Sequence, residues 1–507
     1  MNKTKKIGMY TLVLMIFTSV FGFTNIPRSF YLMGYGAIPW YIISGILFFI
    51  PYAFMMTEFG AAFKDEKGGI YSWMEKSVGS KFAFLGTFMW YTSNIIWMVS
   101  VASSIWVPAS NFLFGSDKTQ EWELLGLSGS KLLGILGIIL IITITYISTK
   151  GLKNISKIAS IGGIFVTIAN ILLLVGGIIV LVGNGFTPAE PINFHAFVSS
   201  PNKNYTSIIG MASFMVFALF SYGGLEVVSG LVDEAENPIK NFPKAIKLSA
   251  IIISVGYCIA ILFVGFFTNW NSILTVGNVN MANVAYIVLN NLGTQIGNVL
   301  GFSQGNAVIL GNFFARFIGL SMLLALTGAF FTVIYSPIKQ LIEGTPNKIW
   351  PKSWTKINKN NMPTNAMWIQ CAVVVIIIAL SAFGGKSASK FLDYLILMGN
   401  VSMTIPYMFL SIAFIYFKKK EYINKPIKIF KSYKSGAIWG IIVTFIIGFA
   451  NIFTIIQPII EENDYFSTVL QVAGPILFVI IGLILYARYK KKNKLNNKED
   501  DSLLSKI

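Results

Sequence analysis

Charged residues are scarce in this chain. Only 12% of its 507 residues are Asp, Glu, Lys or Arg, whereas about 25% is usual in a soluble domain. No hydrophilic stretch is long enough to form an appended kinase, nucleotidase or protease domain, and no G-x-x-x-x-G-K-[ST] phosphate loop is present to drive transport by ATP. These absences exclude an ordinary soluble domain and an ATP-driven pump.

Cysteine and histidine are almost absent, with two Cys and one His in the whole chain. Cys258 and Cys371 both fall within long apolar runs, and His195 stands alone in a more polar stretch. This pattern indicates neither a disulfide framework nor a zinc site nor a His-based cluster. The sequence therefore predicts no metal, no cofactor and no catalytic residues.

Long apolar runs dominate the chain instead. Hydrophobic residues make up 55% of it, the mean hydropathy is +0.68, and apolar runs of 18 or more residues can cross a hydrocarbon layer of roughly 30 Å. We therefore predict an all-α polytopic membrane protein with twelve transmembrane helices. They cover residues 9 to 33, 37 to 62, 83 to 113, 132 to 148, 158 to 183, 207 to 232, 248 to 268, 310 to 336, 367 to 383, 391 to 416, 436 to 458 and 468 to 487.

The distribution of positive charge predicts the orientation of these helices. If the N-terminus is cytoplasmic, 32 of the 39 Lys and Arg fall in cytoplasmic segments. Arg28 and Arg316 lie within spans, and five residues lie in outer loops: Lys118, Lys131, Lys203, Lys386 and Lys390. This asymmetry follows the positive-inside rule and places both termini in the cytoplasm. The net charge of +18 thus reflects membrane topology, and no nucleic-acid partner is needed to explain it.

Two predicted spans carry residues that interrupt helices. The first contains "TSVFGFTNIPRSF" (residues 18 to 30), and the sixth contains "FALFSYGGLEVVSG" (residues 217 to 230). Unwound backbone at membrane depth is tolerated where it faces a cavity or protein, and paired broken helices indicate a substrate site in secondary transporters. Free N–H groups can hold a carboxylate and free carbonyls an ammonium, which together suit an amino acid. Close helix packing by small residues is the alternative explanation.

Three further stretches carry a family resemblance. "SGLVDEAENPIKNFPKAI" (residues 229 to 246), "TEFGAAFKDEKGGIYSW" (57 to 73) and "NKNNMPTNA" (358 to 366) resemble markers of the amino acid-polyamine-organocation superfamily, and each stands at the helix end where that superfamily has it. Asn237, Pro238 and Pro243 match the first marker. The first 115 residues also resemble the glutamate/γ-aminobutyrate antiporter family, in particular its YjeM-type branch.

The resemblance implies a LeuT-like fold in a single transmembrane domain covering residues 1 to 507. One repeat of five helices (about 9 to 183) would be followed by an inverted repeat (about 207 to 416), two extra helices (about 436 to 487) and a cytoplasmic tail (488 to 507). The first and sixth helices would be unwound around the substrate.

The resemblance also implies substrate-binding positions. In the first and sixth helices these are Ser19, Val20, Phe21, Gly22, Phe23, Thr24, Phe220, Ser221, Tyr222, Gly223 and Gly224. Of the glycine-rich break usual in the first helix, only Gly22 is kept. In the third span Trp90, Asn94 and Trp97 share one helix face, and either line the cavity or serve packing.

Four charged residues within the spans have different expected roles. Desolvation favours the neutral form of a carboxylate, so Glu226 is a candidate for proton coupling or gating, with a cross-helix hydrogen bond as the alternative. Arg28 follows the first break and faces an outer vestibule or, alternatively, the membrane interface. We expect Glu58 to bond a neighbouring loop or helix, and Arg316 to extend its side chain to the outer surface.

The sequence therefore predicts a secondary active amino acid transporter of the bacterial inner membrane, not an enzyme. It would work by alternating access, as an antiporter or a proton-coupled permease, and glutamate/γ-aminobutyrate exchange follows from the resemblance alone. A non-transporting amino acid sensor on the same fold, a channel, and a polyamine or cationic amino acid exchanger are the alternatives. The expected partners are an amino acid, the lipid bilayer, protons and a second copy in a homodimer.

Overall fold

The computed structural model describes residues 6–124, 126–276, 279–346 and 348–504, with side chains described except at 128, 130, 385–397, 400, 461, 462 and 493–504. The first lysines of the predicted cytoplasmic N-terminus and residues 505–507 of the predicted tail lie outside these ranges. Within them the chain is nearly all helical, as the composition predicts. In lipid a helix satisfies its own backbone N–H and C=O groups, so apolar runs of this length fold as helices.

The helices follow one another along the whole chain. The first half contains α1 (Met9–Val20), α2 (Asn25–Met33), α3 (Ala37–Ser44), α4 (Ile50–Ala62), α5 (Ile70–Ser77), α6 (Ser80–Ser104), α7 (Trp106–Phe114), α8 (Gly129–Ser148), α9 (Leu152–Gly183), α10 (Phe194–Val198) and α11 (Ile208–Phe220). The second half contains α12 (Pro238–Phe267), α13 (Trp270–Ile273), α14 (Val284–Val299), α15 (Gln304–Gly344), α16 (Thr364–Phe383), α17 (Gly385–Lys419), α18 (Tyr433–Glu462) and α19 (Tyr465–Leu504). A two-stranded antiparallel hairpin, β1 (Glu123–Leu124) and β2 (Leu127–Ser128), precedes α8.

Eleven helical segments among the described residues are long and apolar enough to cross a membrane. The predicted spans at residues 9 to 33 and 37 to 62 both fall within one of these segments, Met9–Ala62, which is 54 residues long. Each of the other ten predicted spans overlaps one of the remaining segments. The structure therefore shows the predicted class of fold, an all-α polytopic membrane protein.

The segment Met9–Ala62 runs along α12 in one direction as far as Tyr35. The ring of Phe21 lies against Tyr257 in the middle of α12, with ring centroids 4.7 Å apart. The ring of Tyr35 fills the space beside Gly265, near the C-terminal end of α12. Between these two points the chain therefore advances toward the C-terminal end of α12.

The chain then runs back along α12 in the opposite direction. Gly45 lies beside Ser254, and Gly60 lies against the ring of Phe242, close to the N-terminal end of α12. The reversal coincides with a short 3-10 turn at Gly34–Gly36. A single apolar stretch thus passes α12 twice.

Glycine and alanine allow the helices of the core to pack closely. On α9, a Cβ at Gly162 would clash with the carbonyl of Leu324, and a Cβ at Gly163 would clash with the carbonyl of Leu14. The opposite face of α9 carries exposed large apolar side chains, for which a hydrocarbon environment is suitable: Ile161, Ile164, Ile168, Ile171, Val175, Ile178 and Val182. With the face that carries Gly162 and Gly163, α9 packs against α1 and α15, which also pack against each other.

Helix α14 is not among the spans predicted from the sequence. This helix has only 16 residues, too few to cross a hydrocarbon layer, which needs about 20. It packs along α15 and α9. A window of span length averages its apolar residues with the polar loops on both sides, which hides it.

Candidate functional site

The first helix is interrupted where the sequence predicts. It ends at Val20, and α2 begins only at Asn25. In the four residues between them, the N–H of Gly22 donates to the hydroxyl of Tyr257 at 3.0 Å. The N–H groups of Phe23 and Thr24 donate to no acceptor among the described residues, so the start of α2 carries free donors.

The sixth helix is interrupted in the same way. It ends at Phe220, and after Gly224 the chain continues as a 3-10 helix, Leu225–Leu231. Gly224 has φ of +111°. A Cβ at this position would clash with the carbonyl oxygen of Ser19, because their separation would be well below the 3.0 Å that is the practical minimum for Cβ contacts. Glycine is therefore required for the close approach of the two interrupted helices.

Glu226 lies at the start of the 3-10 helix and is 3% exposed. Its Oε1 accepts hydrogen bonds from the indole N–H of Trp90 and from the hydroxyl of Tyr407, both at 3.2 Å. The Tyr407 hydroxyl also accepts the N–H of Gly224 at 3.1 Å. The other carboxylate oxygen, Oε2, is buried without a hydrogen-bond partner among the described residues. One carboxylate oxygen of Glu226 thus accepts two hydrogen bonds, and the other accepts none in the described part of the chain.

A cavity of about 320 Å³ lies between the two interruptions. Its lining consists of Thr18, Ser19, Val20, Gly22, Asn94, Trp97, Phe220, Gly223, Gly224, Glu226, Val227, Leu326, Ala329, Val333, Met403, Thr404 and Tyr407. Glu226 is the only charged residue in this set. The few hydroxyl and amide groups are surrounded by aliphatic and aromatic side chains, the usual composition of a small-molecule site.

The structure brings nine of the predicted site residues to this cavity: Ser19, Val20, Gly22, Asn94, Trp97, Phe220, Gly223, Gly224 and Glu226. It places the others outside the lining: Phe21, Phe23, Thr24, Arg28, Trp90, Ser221 and Tyr222. In a 3.6-residue turn the side chains point in all directions, so only part of a broken helix can face one cavity.

Three of the predicted residues that do not line the cavity contact residues on or next to its lining. Trp90 holds Oε1 of Glu226. The Tyr222 ring stacks on Phe49 with ring centroids 4.6 Å apart, and the Ser221 hydroxyl accepts a hydrogen bond from Tyr41 at 3.0 Å. These contacts fix the interrupted backbone of the sixth helix.

Two predictions outside the cavity concern Arg28 and Glu58. The Nε of Arg28 donates to the carbonyl of Met281 at 2.7 Å, which ties α2 to the segment before α14 and keeps Arg28 out of the cavity lining. Glu58 pairs with Lys418 at 2.9 Å and accepts the N–H of Phe430 at 2.7 Å. The prediction that Glu58 bonds a neighbouring helix and loop is confirmed.

The sequence did not reveal the contribution of α15 and α17 to the cavity, nor that of Thr18 and Val227 beside the two interruptions. The missed residues are Thr18, Val227, Leu326, Ala329, Val333, Met403, Thr404 and Tyr407. Most of them are ordinary apolar residues in long apolar helices, which carry no signal of a site. Thr18, Thr404 and Tyr407 carry hydroxyl groups, but nothing in their spacing links them to Glu226.

Tyr257 is a further missed residue, and it joins the two interruptions. Its hydroxyl accepts the N–H of Gly22 at 3.0 Å and donates to the carbonyl of Ser221 at 3.1 Å. The ring is fully buried and packs on Phe21 and Tyr41. A single side chain on α12 therefore satisfies backbone groups of both broken helices.

Replacing Tyr257 with Phe should destabilise the protein. The ring contacts remain, but Gly22 N–H and the Ser221 carbonyl lose their partner, at a cost of about 1–3 kcal/mol. We therefore expect a lower thermal unfolding midpoint in detergent. Tyr10→Phe is the control, because Tyr10 is 80% exposed. An unchanged midpoint in the Tyr257 variant would contradict this role.

Contacts at the lysine-rich end of the bundle tie three segments of the chain together. The N–H of Ile7 donates to the carbonyl of Glu234 at 2.9 Å, and the N–H of Glu236 donates to the carbonyl of Ile7 at 2.8 Å. Beside this pairing, Lys339 of α15 is 1% exposed and forms ion pairs with Asp233 at 2.8 Å and Glu234 at 3.2 Å. The start of α1, the end of the sixth helix and α15 are thus tied together.

The sequence model of the amino acid permease family matches residues 7–486. Together with the polytopic helical fold, this match shows that the chain belongs to the amino acid permease family, whose members are membrane transporters and not enzymes. The chain is 50% identical to the inner membrane transporter YjeM of Escherichia coli over 96% of both chains. It is 23% identical to the aspartate/glutamate permease AcaP of Lactococcus lactis over 99% of both. The glutamate/γ-aminobutyrate antiporter of Lactococcus lactis is 22% identical over 68% of this chain and 62% of that protein.

Proposed function

We propose that this protein is a secondary active amino acid transporter that works by alternating access around the cavity between the two broken helices. The observation that carries the proposal is the meeting of the interruptions at residues 21–24 and 221–224 on one cavity of amino acid size. The name of the relative YjeM supports placement in the bacterial inner membrane.

The proposed topology has twelve crossings with both termini in the cytoplasm. The double passage of Met9–Ala62 along α12 supports two crossings within that segment, which adds one to the eleven long helices. We propose the predicted domain organisation with it: repeats at about 9 to 183 and 207 to 416, two extra helices at about 436 to 487, and a tail from 488. The clustering of Lys in the inner segments supports the orientation.

The proposed binding mode uses the freed backbone groups. The carboxylate of the amino acid would bind at the first interruption, on the positive end of α2, and the carbonyls of the sixth-helix interruption would hold its ammonium. Ser19, Gly22 and Gly223 line the cavity at these points. Trp97 and Phe220 supply aromatic walls on either side.

Alternating access requires an inner gate that opens. The contacts of Ile7 with Glu234 and Glu236, and of Lys339 with Asp233, close the lysine-rich end in this structure. In the proposed cycle the segments carrying these contacts separate to release substrate on the cytoplasmic side.

Counterflow in proteoliposomes tests the proposal. Vesicles loaded with an unlabelled amino acid should accumulate the labelled form transiently, and empty vesicles should not. A sensor on the same fold would bind ligand without moving it. Measurable binding without counterflow for any amino acid would therefore defeat the transporter proposal and favour the sensor.

We also propose that Glu226 exchanges a proton during transport. It is buried with one unpartnered oxygen, and buried ionisable groups in membrane proteins commonly mark proton pathways. The titratable groups that face it are the hydroxyl of Tyr407 and, packed edge-on against Tyr407, the ring of Tyr52. On the α15 side, Gln340 faces the main chain of Glu226, and Lys339 bonds farther along at Gly230.

Glu226→Gln should remove the pH dependence of transport while leaving expression intact. We expect an inward proton gradient to stimulate uptake by the unmodified protein and to have no effect on the variant. Glu121→Gln is the matched control, because the Glu121 side chain is 69% exposed and far from the cavity lining. An unchanged response to the gradient in the Glu226 variant would exclude its role in proton coupling.

A homodimer is the last proposed feature. The faces of α18 and α19 carry many exposed large apolar side chains, such as Ile441, Phe445 and Ile452. Lipid can cover such faces as well as a second copy can. The mass of the protein in nanodiscs therefore distinguishes a monomer from a homodimer.

A further inference from the structure

We propose that Glu226 makes the cavity selective for substrates that carry an ammonium group on the side chain, so that cationic amino acids bind better than neutral ones and acidic ones are excluded. This inference rests on the proposed transport function and names the substrate class of the same cavity. It concerns the charge of the ligand, which backbone recognition at the two interruptions does not determine.

The charge of the lining carries the argument. Glu226 is the only charged side chain among the described residues that form the cavity, and the lining includes no Lys, Arg, His or Asp. A zwitterionic amino acid group is neutral and can be matched by N–H and C=O groups of the two broken helices. An ionised Glu226 is then left as the one unbalanced charge, and a ligand ammonium would balance it.

The geometry of Glu226 agrees with this role. Trp90 and Tyr407 both donate to Oε1, which fixes the orientation of the carboxylate. Glu226 lines the same cavity, and its Oε2 is buried without a hydrogen-bond partner among the described residues. A buried oxygen in this state gains most from a charged donor, because charge-assisted hydrogen bonds are roughly twice as strong as neutral ones.

The remaining walls suit the methylene stem of such a side chain. Leu326, Ala329, Val333 and Met403 present aliphatic groups, and Trp97 and Phe220 present aromatic rings. Aromatic rings attract an ammonium through cation–π interaction, whereas they offer nothing to a carboxylate. A second carboxylate would enter a cavity that already contains Glu226 and no cation to offset it.

Matched ligands test the proposal without any mutation. L-lysine and L-norleucine share the same stem but differ in the terminal ammonium, and L-glutamate carries a carboxylate. We expect L-lysine to raise the thermal unfolding midpoint of the purified protein at concentrations at least tenfold lower than L-norleucine, with no shift from L-glutamate. An equal response to L-lysine and L-norleucine, or a larger response to L-glutamate, would overturn the proposal.

Two variants locate the preference. Glu226→Gln should reduce the lysine-over-norleucine preference to less than threefold, and Glu121→Gln should keep it. Tyr407→Phe retains the carboxylate and removes one donor to Oε1, so it should keep the sign of the preference. A preference that survives in Glu226→Gln would assign the selection to other residues and overturn the inference.

Counterflow with the same ligands separates this inference from the proposed function. Exchange of L-lysine in preference to L-norleucine supports both. Exchange of L-norleucine or L-glutamate without L-lysine supports transport and overturns the charge selection alone. Absence of exchange for every amino acid, with binding retained, overturns the transport proposal and leaves the binding preference to be judged by the thermal measurement.

Discussion

Replacing Gly224 with Ala should abolish transport. Gly224 has φ of +111°, and an added Cβ would clash with the backbone carbonyl of Ser19 in the first interrupted helix. A left-handed conformation costs a non-glycine residue roughly 1–2 kcal/mol, and overpacking against rigid neighbours typically adds about 1–3 kcal/mol. The clash is with main chain, so relief requires moving the two broken helices apart. That movement would separate the two sides of the substrate cavity.

Gly185→Ala is the matched control for this variant. Gly185 also has a positive φ, of +64°, but a Cβ there would meet nothing within 4 Å. It therefore carries the conformational cost without the clash. We expect the Gly224 variant to lose uptake and to unfold at a clearly lower temperature in detergent, and the Gly185 variant to transport normally. Equal uptake by the two variants would show that the close approach of the helices is dispensable.

Replacing Lys339 with Met should destabilise the protein strongly. The Lys339 ammonium donates to the carbonyl of Gly230 at 3.0 Å and pairs with Asp233 and Glu234. Removing one partner of a buried ion pair typically costs about 3–5 kcal/mol, because the other charge is left without compensation. The side chains of Asp233 and Glu234 are 13% and 23% exposed, so water compensates in part and we expect about 3 kcal/mol.

Lys67→Met provides the comparison for a surface ion pair. Lys67 lies 3.8 Å from Glu343, and its side chain is 63% exposed, so its loss should cost no more than about 1 kcal/mol. Thermal unfolding in detergent, followed by the loss of monodisperse protein, measures both variants. Similar unfolding midpoints for the two variants would mean that Lys339 does not hold the inner contacts together.

The sequence predicted the elements of the site better than their arrangement. Gly22, Gly223 and Gly224 stand out because they occur together with polar residues in the middle of apolar runs, and Glu226 stands out because a carboxylate is costly there. The structure shows both interruptions at these residues. Such signals are local, since each can be recognised from a few neighbouring residues.

Side-chain direction was the first property that the sequence left open. Phe21 and Tyr222 are adjacent to residues that line the cavity, yet their rings pack on Tyr257 and Phe49 outside the lining. Interrupted backbone follows neither the helical nor the strand period, so no periodic pattern tells which of its side chains point inward.

The second property that the sequence left open was the identity of hydrogen-bond partners that are distant in the chain. Tyr257 bonds Gly22 across 235 positions, and Tyr407 bonds Glu226 across 181. The two tyrosines look like the other aromatic residues of apolar helices until the helices are packed together. Their roles depend on which helices become neighbours.

The sequence by itself determined the class of this protein: composition, long apolar runs and the asymmetry of lysine require a polytopic helical membrane protein, and the two interruptions indicate where its helices open. Only the tertiary structure decided that Glu226, which has one unpaired carboxylate oxygen, belongs to the lining of a cavity without cationic side chains. The physical reason is the separation along the chain of the residues that determine each property. Burial in lipid depends on the local density of apolar residues, whereas the charge balance of a cavity depends on side chains from five helical segments that meet only after folding.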